Sequence, residues 1–136
     1  MSAVSLEDRR AIDDHFVSFC YAADALGDGE ALAAHFAEDA VYDLTGFGLQ
    51  AFTGRAAISD FFARSFAATE RNVHFISNIK VCSTGAATAV ASAYVHAFSH
   101  SNDGGKMEIR ARYDVDLLKT DDGWKFSRMS IAVQST

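Results

Sequence analysis

The first third of the chain repeats its apolar residues with the period of a helix. One such pattern covers residues 6–26 and predicts an amphipathic helix that Ser5 caps. Glycines on both sides of Asp28 end this helix, and Asp28 is the expected N-cap of a second helix that reaches Phe36. The apolar positions of the two helices are Ile12, Phe16, Phe19, Ala23, Leu26, Leu32, Ala33 and Phe36.

The middle of the chain predicts a short strand, a loop and a third helix. Residues 41–44 are β-branched or apolar enough for a strand, and residues 46–52 have the glycines of a loop. This loop contains two phenylalanines, which is typical of either a pocket lid or a packed flap. Thr53 is the expected cap of a helix over residues 54–67. Its buried side is predicted to hold Ile58, Phe61, Phe62 and Phe66.

From residue 73 onward the apolar residues recur at every second position, which predicts β-strands joined by hairpins. In the first strand the alternation groups His74 with Asn78 and Lys80, so the pattern permits a solvent-facing His74. Residues 102–105 and 121–123 carry hairpin-turn signals. The alternation changes phase near residues 127–128, which predicts a β-bulge in the last strand. The expected apolar faces hold Val73, Phe75, Ile79, Val81, Met107, Ile109, Ala111, Tyr113, Val115 and Leu117.

Three helices followed by an antiparallel meander predict an α+β architecture, with the helices packed on one side of a curved sheet. A chain of 136 residues is the size of one domain, so we expect a single domain over residues 1–136.

Composition and charge narrow the possible partners. The chain is 49% apolar and 22% charged, as in a soluble globular protein, and no apolar run approaches the ~20 residues of a membrane span. A net charge of -6 without a Lys/Arg cluster argues against nucleic acid as a binding partner.

Charged residues precede any apolar stretch at the N-terminus, which predicts a cytoplasmic protein. Cys20 and Cys82 lack the spacing of a disulfide framework or zinc site.

Two residues stand out as candidates for chemistry. Asp24 borders the apolar stripe of the first helix, where a carboxylate must be paired, hydrogen-bonded or neutralised. It has two possible roles, bonding a backbone N–H at the helix joint or orienting an imidazole that moves a proton. His74 is the candidate imidazole, although a single histidine in a strand is as often structural as catalytic.

Other polar residues near this pair have weaker signals. Tyr21 lies one turn before Asp24 and is a candidate donor to a developing oxyanion. His96 adds a second titratable group, or it forms a strand face with Tyr94 and Phe98. Since nucleophile, metal and phosphate motifs are absent from the sequence, we expect no metal and no cofactor. The remaining histidines, predicted to lie on the surface, are His15, His35 and His100.

Four stretches give the chain a resemblance to a known family. They are GDGEALAAHFAEDAVYD (27–43), TGRAAISDFF (53–62), NVHFISNIKV (72–81) and RYDVDLLKTDDGWKFSRMSI (112–131). Together with the helix that carries Tyr21 and Asp24, they resemble the SnoaL-like branch of the nuclear transport factor 2-like (NTF2-like) superfamily. The resemblance implies a cone-shaped α+β barrel in which three N-terminal helices pack on a strongly curved, mostly antiparallel sheet around an apolar cavity. It also implies a homo-oligomer, either a dimer or a trimer.

Within this branch the chain is similar to scytalone dehydratase, bile-acid dehydratases and lindane dehydrochlorinase. The resemblance implies that Asp24 and His74 form a dyad that removes a proton for elimination, with Tyr21 and His96 assisting. We therefore expect a cofactor-independent lyase that acts on a hydrophobic cyclic or aromatic small molecule. An isomerase or polyketide cyclase with the same dyad, a ligand-binding protein, and a small subunit of a ring-hydroxylating dioxygenase are the alternatives.

Overall fold

The computed structural model describes residues 3–135, and the α+β prediction is confirmed for this part of the chain. Three helices lead into long strands, as the change from helical to two-residue periodicity predicts. A single 3₁₀ turn, Thr45–Phe47, separates the first two strands. The helices are α1 (Leu6–Ala25), α2 (Gly29–Ala33) and α3 (Arg55–Ala67), and the strands are β1 (Phe36–Asp43), β2 (Ala51–Thr53), β3 (Thr69–Ser83), β4 (Thr88–Ser101), β5 (Lys106–Thr120) and β6 (Gly123–Ser135).

The described strands form one sheet in the order β2-β1-β6-β5-β4-β3. β1 runs parallel to β6, and every other neighbouring pair is antiparallel. The sheet does not close on itself, because β2 and β3 are its two edges. The long hairpins from β3 to β6 follow from short turns that hold glycine where the backbone needs positive φ, as at Gly104 and Gly123.

The first helix is fixed at its N-terminus, as the sequence predicts. The Ser5 hydroxyl accepts a hydrogen bond from the Asp8 backbone N–H at 3.1 Å. The Asp8 carboxylate then accepts hydrogen bonds from Lys119 Nζ at 2.9 Å and Trp124 Nε1 at 3.1 Å. These contacts hold the start of α1 against the hairpin between β5 and β6.

The histidines near the second helix are not surface residues, so that part of the prediction is wrong. His15 and His35 are half-buried. His15 Nε2 donates to the His35 carbonyl at 2.9 Å, and its ring packs on Phe126 with centroids 4.6 Å apart. The same carbonyl accepts the Phe126 backbone N–H at 2.9 Å, so it joins α1 to the start of the sheet.

Two helix boundaries also differ from the prediction. The second helix ends at Ala33, and Phe36 instead begins β1, because the chain is already hydrogen-bonded to β6 there. Thr53 does not cap α3 but pairs with Val41 in the sheet. Gly54 occupies the N-cap position, where its φ of 91° is a conformation that glycine adopts without strain.

β-bulges decide which side chains face the helices. The bulge predicted near residues 127–128 is confirmed, since Asp116 pairs with Arg128 while Leu117 pairs with Phe126. A second bulge interrupts β3 at Asn78, which has a φ of 55°. Before it, His74 faces the helices, and Val73 and Phe75 face outward; after it, Ile79 and Val81 turn inward. The single face predicted for these four apolar residues is therefore wrong.

The side of the sheet that faces the helices holds an aromatic core. The largest fully buried side chains are Phe16, Phe19, Phe36, Phe126, Ile12, Leu32, Ile58, Leu117 and Met129.

In the described residues no helix is long and apolar enough to cross a membrane.

Candidate active site

A cavity of about 390 Å³ lies between the helices and the inner face of the sheet. Its walls are predominantly apolar and aromatic, which suits a hydrophobic ligand. Phe47 reaches the cavity, whereas Phe52 packs on Phe61 with ring centroids 4.8 Å apart. The loop with two phenylalanines is thus part wall and part packed flap. The polar residues along the cavity are Tyr42, Ser65, Thr69, Asn72, His74, Ser99 and Tyr113.

Asp24 and His74 meet beside this cavity. The His74 ring nitrogen Nδ1 lies 2.6 Å from Asp24 Oδ1, and the His74 backbone N–H donates to Asp24 Oδ2 at 3.1 Å. The side chains are 16% and 26% exposed respectively, so both keep some contact with water. One carboxylate thus bonds an imidazole and a backbone N–H, although this N–H belongs to His74 on β3 and not to the helix joint; a role in moving a proton stays a prediction.

The local structure explains why these residues meet. Asp24 stands beside the buried stripe of α1, near the end of that helix. β3 is an edge strand, so the amide of His74 needs a partner outside the sheet, and the carboxylate supplies it. The neighbouring Asn72 donates through Nδ2 to the Ala23 carbonyl at 3.3 Å. Helix end and strand edge are therefore joined at three points.

This contact fixes the chemistry that His74 offers. Because the carboxylate accepts a hydrogen bond from Nδ1, the proton of the neutral ring resides there and Nε2 keeps its lone pair. His74 lines the cavity and Asp24 does not, so Nε2, on the side of the ring away from the carboxylate, faces the cavity. A carboxylate that orients a histidine in this way also stabilises the imidazolium formed by proton removal.

Two tyrosines that sequence reasoning did not single out as site residues also line the cavity. Tyr42 on β1 and Tyr113 on β5 are buried residues that line the cavity, and neither hydroxyl makes a hydrogen bond to another described residue. Burial raises the pKa of both phenols, and repulsion from Tyr42, Cys20 and Asp24 adds to the effect at Tyr113. Both are therefore neutral hydrogen-bond donors. The alternation in β5 predicts that Tyr113 faces inward, but it does not predict that the hydroxyl lacks a protein partner.

The cysteine nearest the dyad has no nucleophilic character. Burial, and then the charge of Asp24, raises the pKa of the Cys20 thiol to about 12. Cys20 and Cys82 are both free thiols. Within the described part of the chain, His, Cys, Asp and Glu side chains form no cluster of three or more that could hold a metal ion.

The structure does not bring Tyr21 and His96 to the dyad. The Tyr21 side chain is 74% exposed and lies outside the cavity lining. His96 is on the outer face of the sheet, where Nε2 lies 2.7 Å from Glu108 Oε2. Its ring packs on Phe98 at 4.6 Å, which matches the alternative prediction of a packed strand face.

Comparison with known proteins places this chain in a family. A family model described as a SnoaL-like domain matches residues 4–130. A solved structure from Novosphingobium aromaticivorans, assigned as an aromatic ring hydroxylase, is 33% identical with a TM-score of 0.94, covering 98% of this chain and 93% of that chain. No curated protein matches the chain.

Two more distant structures show the same fold. One from N. aromaticivorans, assigned as a scytalone dehydratase, is 24% identical with a TM-score of 0.87, covering 96% of this chain and 86% of that chain. The other is the LinA-type3 hexachlorocyclohexane dehydrochlorinase of Novosphingobium barchaimii, 19% identical with a TM-score of 0.82, covering 96% and 88%. The family predicted from the sequence is confirmed, and the chain belongs to the SnoaL-like domain family.

Proposed function

We propose that this protein is a cofactor-independent lyase that eliminates a leaving group from a hydrophobic cyclic or aromatic small molecule. The observation that carries the proposal is the 2.6 Å contact between His74 Nδ1 and Asp24, with the opposite edge of the ring on an apolar cavity. The dehydratase and dehydrochlorinase names of structures with the same fold support elimination as the reaction class.

The proposed reaction is a proton removal coupled to loss of a leaving group. His74 Nε2 takes a proton from carbon, and the electron pair of that C–H bond becomes a C=C bond as hydroxide or halide leaves the adjacent carbon. Imidazolium then returns its proton to a leaving hydroxide, releasing water, or gives it to solvent when the leaving group is halide. Asp24 stabilises the imidazolium throughout. General-base catalysis of this kind accelerates a reaction by roughly 10²–10⁴-fold, and positioning in the cavity supplies more.

The two unpaired tyrosines complete the proposed site. A neutral phenol donates a hydrogen bond to a substrate oxygen, and that bond strengthens as the oxygen gains charge. Tyr42 and Tyr113 both line the cavity and make no hydrogen bond to a described residue, so we assign their hydroxyls to ligand binding. Tyr21 and His96 take no part in this proposal because they lie outside the cavity.

Purified protein tests the proposal directly. Cyclic β-hydroxy ketones and hexachlorocyclohexane are offered as substrates, and mass spectrometry follows loss of water or HCl. His74→Ala is expected to lower turnover at least 10²-fold with the fold intact by circular dichroism, since it removes the base. His96→Gln, a histidine on the other face of the sheet, is the matched control and should change turnover less than twofold. Unchanged turnover in His74→Ala would contradict the proposal, and a product of unchanged mass would indicate an isomerase or cyclase.

A second candidate follows from the relative assigned as an aromatic ring hydroxylase, at 33% identity. In that role the chain would be a companion subunit of a metal-containing oxygenase. Such a subunit co-purifies with a larger chain from its native host, and His74→Ala would leave the activity of the complex intact. Co-purification together with no elimination activity would favour this candidate.

A further inference from the structure

A second concave site lies on the surface, where α1 meets the start of β1 and the hairpin between β5 and β6. It has a volume of about 390 Å³, and we call it the surface cleft. Ser18, His35 and Lys125 are among the residues that line it. The surface cleft shares no lining residue with the cavity beside Asp24 and His74, so the proposed elimination makes no use of it.

A serine and a histidine meet in the surface cleft. Ser18 Oγ lies 2.9 Å from His35 Nε2, and His35 Nδ1 lies 2.8 Å from the Leu32 carbonyl oxygen. Because a carbonyl oxygen only accepts hydrogen bonds, the proton of the neutral ring resides on Nδ1 and Nε2 keeps its lone pair. The Ser18 hydroxyl therefore donates to Nε2. Burial lowers the pKa of His35, so the ring is neutral and able to accept a proton near pH 7.

This arrangement has the order of parts that activates a serine. A serine becomes a nucleophile when an imidazole takes its proton and a third group fixes the tautomer and position of that imidazole. The Leu32 carbonyl is the third group here. It carries only a partial charge, so we expect weaker activation than a carboxylate gives. The ring is also held by Phe19, whose edge meets it with centroids 6.0 Å apart.

The surface cleft also offers access and a positive charge. Ser18 is an exposed residue in the middle of α1, where a serine hydroxyl often bonds the carbonyl one turn earlier, but this one bonds His35. Lys125 Nζ donates to the Ala34 carbonyl at 2.8 Å, which fixes the ammonium at the cleft. An ammonium has three N–H donors, so two remain for an oxygen that gains negative charge.

We propose that Ser18 and His35 form a second catalytic pair, which hydrolyses small esters in the surface cleft. Ser18 Oγ bonds to the carbonyl carbon of the ester while His35 Nε2 takes the hydroxyl proton, and Lys125 stabilises the negative oxygen. The bond from carbon to the alcohol oxygen then breaks, and the imidazolium protonates the leaving alcohol. Water attacks the acyl-serine with His35 again as the base, which releases the acid and restores Ser18.

A fluorophosphonate tests the nucleophile without any turnover. This reagent forms a P–O bond with an activated serine and loses fluoride, and peptide mass spectrometry of the full chain locates the label. We expect the label on Ser18 in the wild type and none there in Ser18→Ala. His35→Gln should slow labelling roughly 10²-fold or more, because it removes the base. Ser59→Ala, a change of a serine on α3, is the matched control and should label at the wild-type rate.

Hydrolysis of p-nitrophenyl acetate tests the complete reaction. Rapid acid quenching followed by peptide mapping should trap an acetyl group on Ser18, and release of p-nitrophenolate should fall at least tenfold in Ser18→Ala. Circular dichroism reports that each variant keeps its fold. A wild type that neither reagent modifies at Ser18, or labelling at Ser18 that His35→Gln leaves unchanged, would overturn the proposal and show that the pair only holds α1 against the start of β1.

Discussion

At the scale of single residues, Asp24 is the centre of the candidate site. Its two oxygens bond one residue at two places, the ring and the backbone amide of His74. The imidazole is thereby held in position and in tautomer before any ligand arrives. Hydrogen bonds to a charged group contribute about 1.5–3 kcal/mol each, so the dyad also helps to hold α1 on the sheet edge.

Asp24→Asn separates these two functions. The amide oxygen can still accept the His74 backbone N–H, but an amide nitrogen facing Nδ1 favours the opposite tautomer, which removes the lone pair from Nε2. We expect turnover to fall at least 10²-fold while the fold is kept. Steady-state kinetics measure the loss, and ¹⁵N NMR of the imidazole reads the tautomer. Retention of turnover with the tautomer reversed would contradict the assigned role.

The sequence identifies Asp24 because a carboxylate on the border of an apolar stripe needs a partner. The sequence does not show which face of the sheet His74 lies on. A β-bulge anywhere in the strand changes which of the alternating residues face the core. The free hydroxyls of Tyr42 and Tyr113 are also invisible in sequence. Whether a buried phenol has a partner depends on residues from distant strands.

At the scale of elements, β3 decides the character of both faces of the sheet. Its bulge lets His74 face the cavity and still keeps Ile79 and Val81 inside. Asn78 holds the bulge with a left-handed backbone, which asparagine adopts more readily than any β-branched residue.

Substitutions at Asn78 test whether the bulge requires a residue that tolerates a left-handed backbone. Asn78→Val is expected to lower the free energy of unfolding by about 1–2 kcal/mol, because valine is strained at positive φ. Asn78→Gly should be nearly neutral, since glycine adopts this conformation freely. Urea denaturation gives the values, with Ser77→Val, the adjacent exposed residue, as the control. If Asn78→Val and Ser77→Val lower the free energy of unfolding equally, the left-handed backbone at Asn78 is not the cause of the loss.

Regular elements are the part of this fold that sequence predicts well. The periodicity places α1 and β5 correctly because packing and local preference agree along both. Phe36 and Thr53 are misplaced because hydrogen bonds to distant strands, at the His35 carbonyl and at Val41, override the local helix signals.

At the scale of the whole molecule, His15 connects three parts of the fold. It lies on α1, donates to the carbonyl of His35 and packs on Phe126 of β6. Burial lowers the pKa of His15 from 6.5 to about 4 and also lowers the pKa of His35. Described carboxylates with a lowered pKa, such as Asp8, titrate below their usual range. They therefore affect the stability of the fold only at lower pH.

Stability should therefore decline in mild acid. The unfolded chain binds a proton to His15 below pH about 6.5 while the folded protein does so only near pH 4, so the stabilisation is complete above 6.5 and is lost as pH falls toward 4. A pKa lowered from 6.5 to about 4 corresponds to about 3 kcal/mol. His15→Gln keeps a donor for the His35 carbonyl but does not titrate. Urea denaturation from pH 7 to 4 should show a shallower decline for this variant, and parallel curves would refute the role of His15.

The β3 bulge also governs which changes in chain length the protein tolerates. Deleting one residue at 77–79 would restore unbroken alternation, so either Phe75 would replace His74 in the cavity or Ile79 would turn to solvent. In the first of these cases the deletion would take the proposed base out of the cavity, so turnover should be lost. Insertions in the turns at residues 84–87 or 102–105 leave the phase of β3 unchanged. We therefore expect the protein to tolerate insertions at these hairpin tips, which are also the places to attach a tag or a reporter.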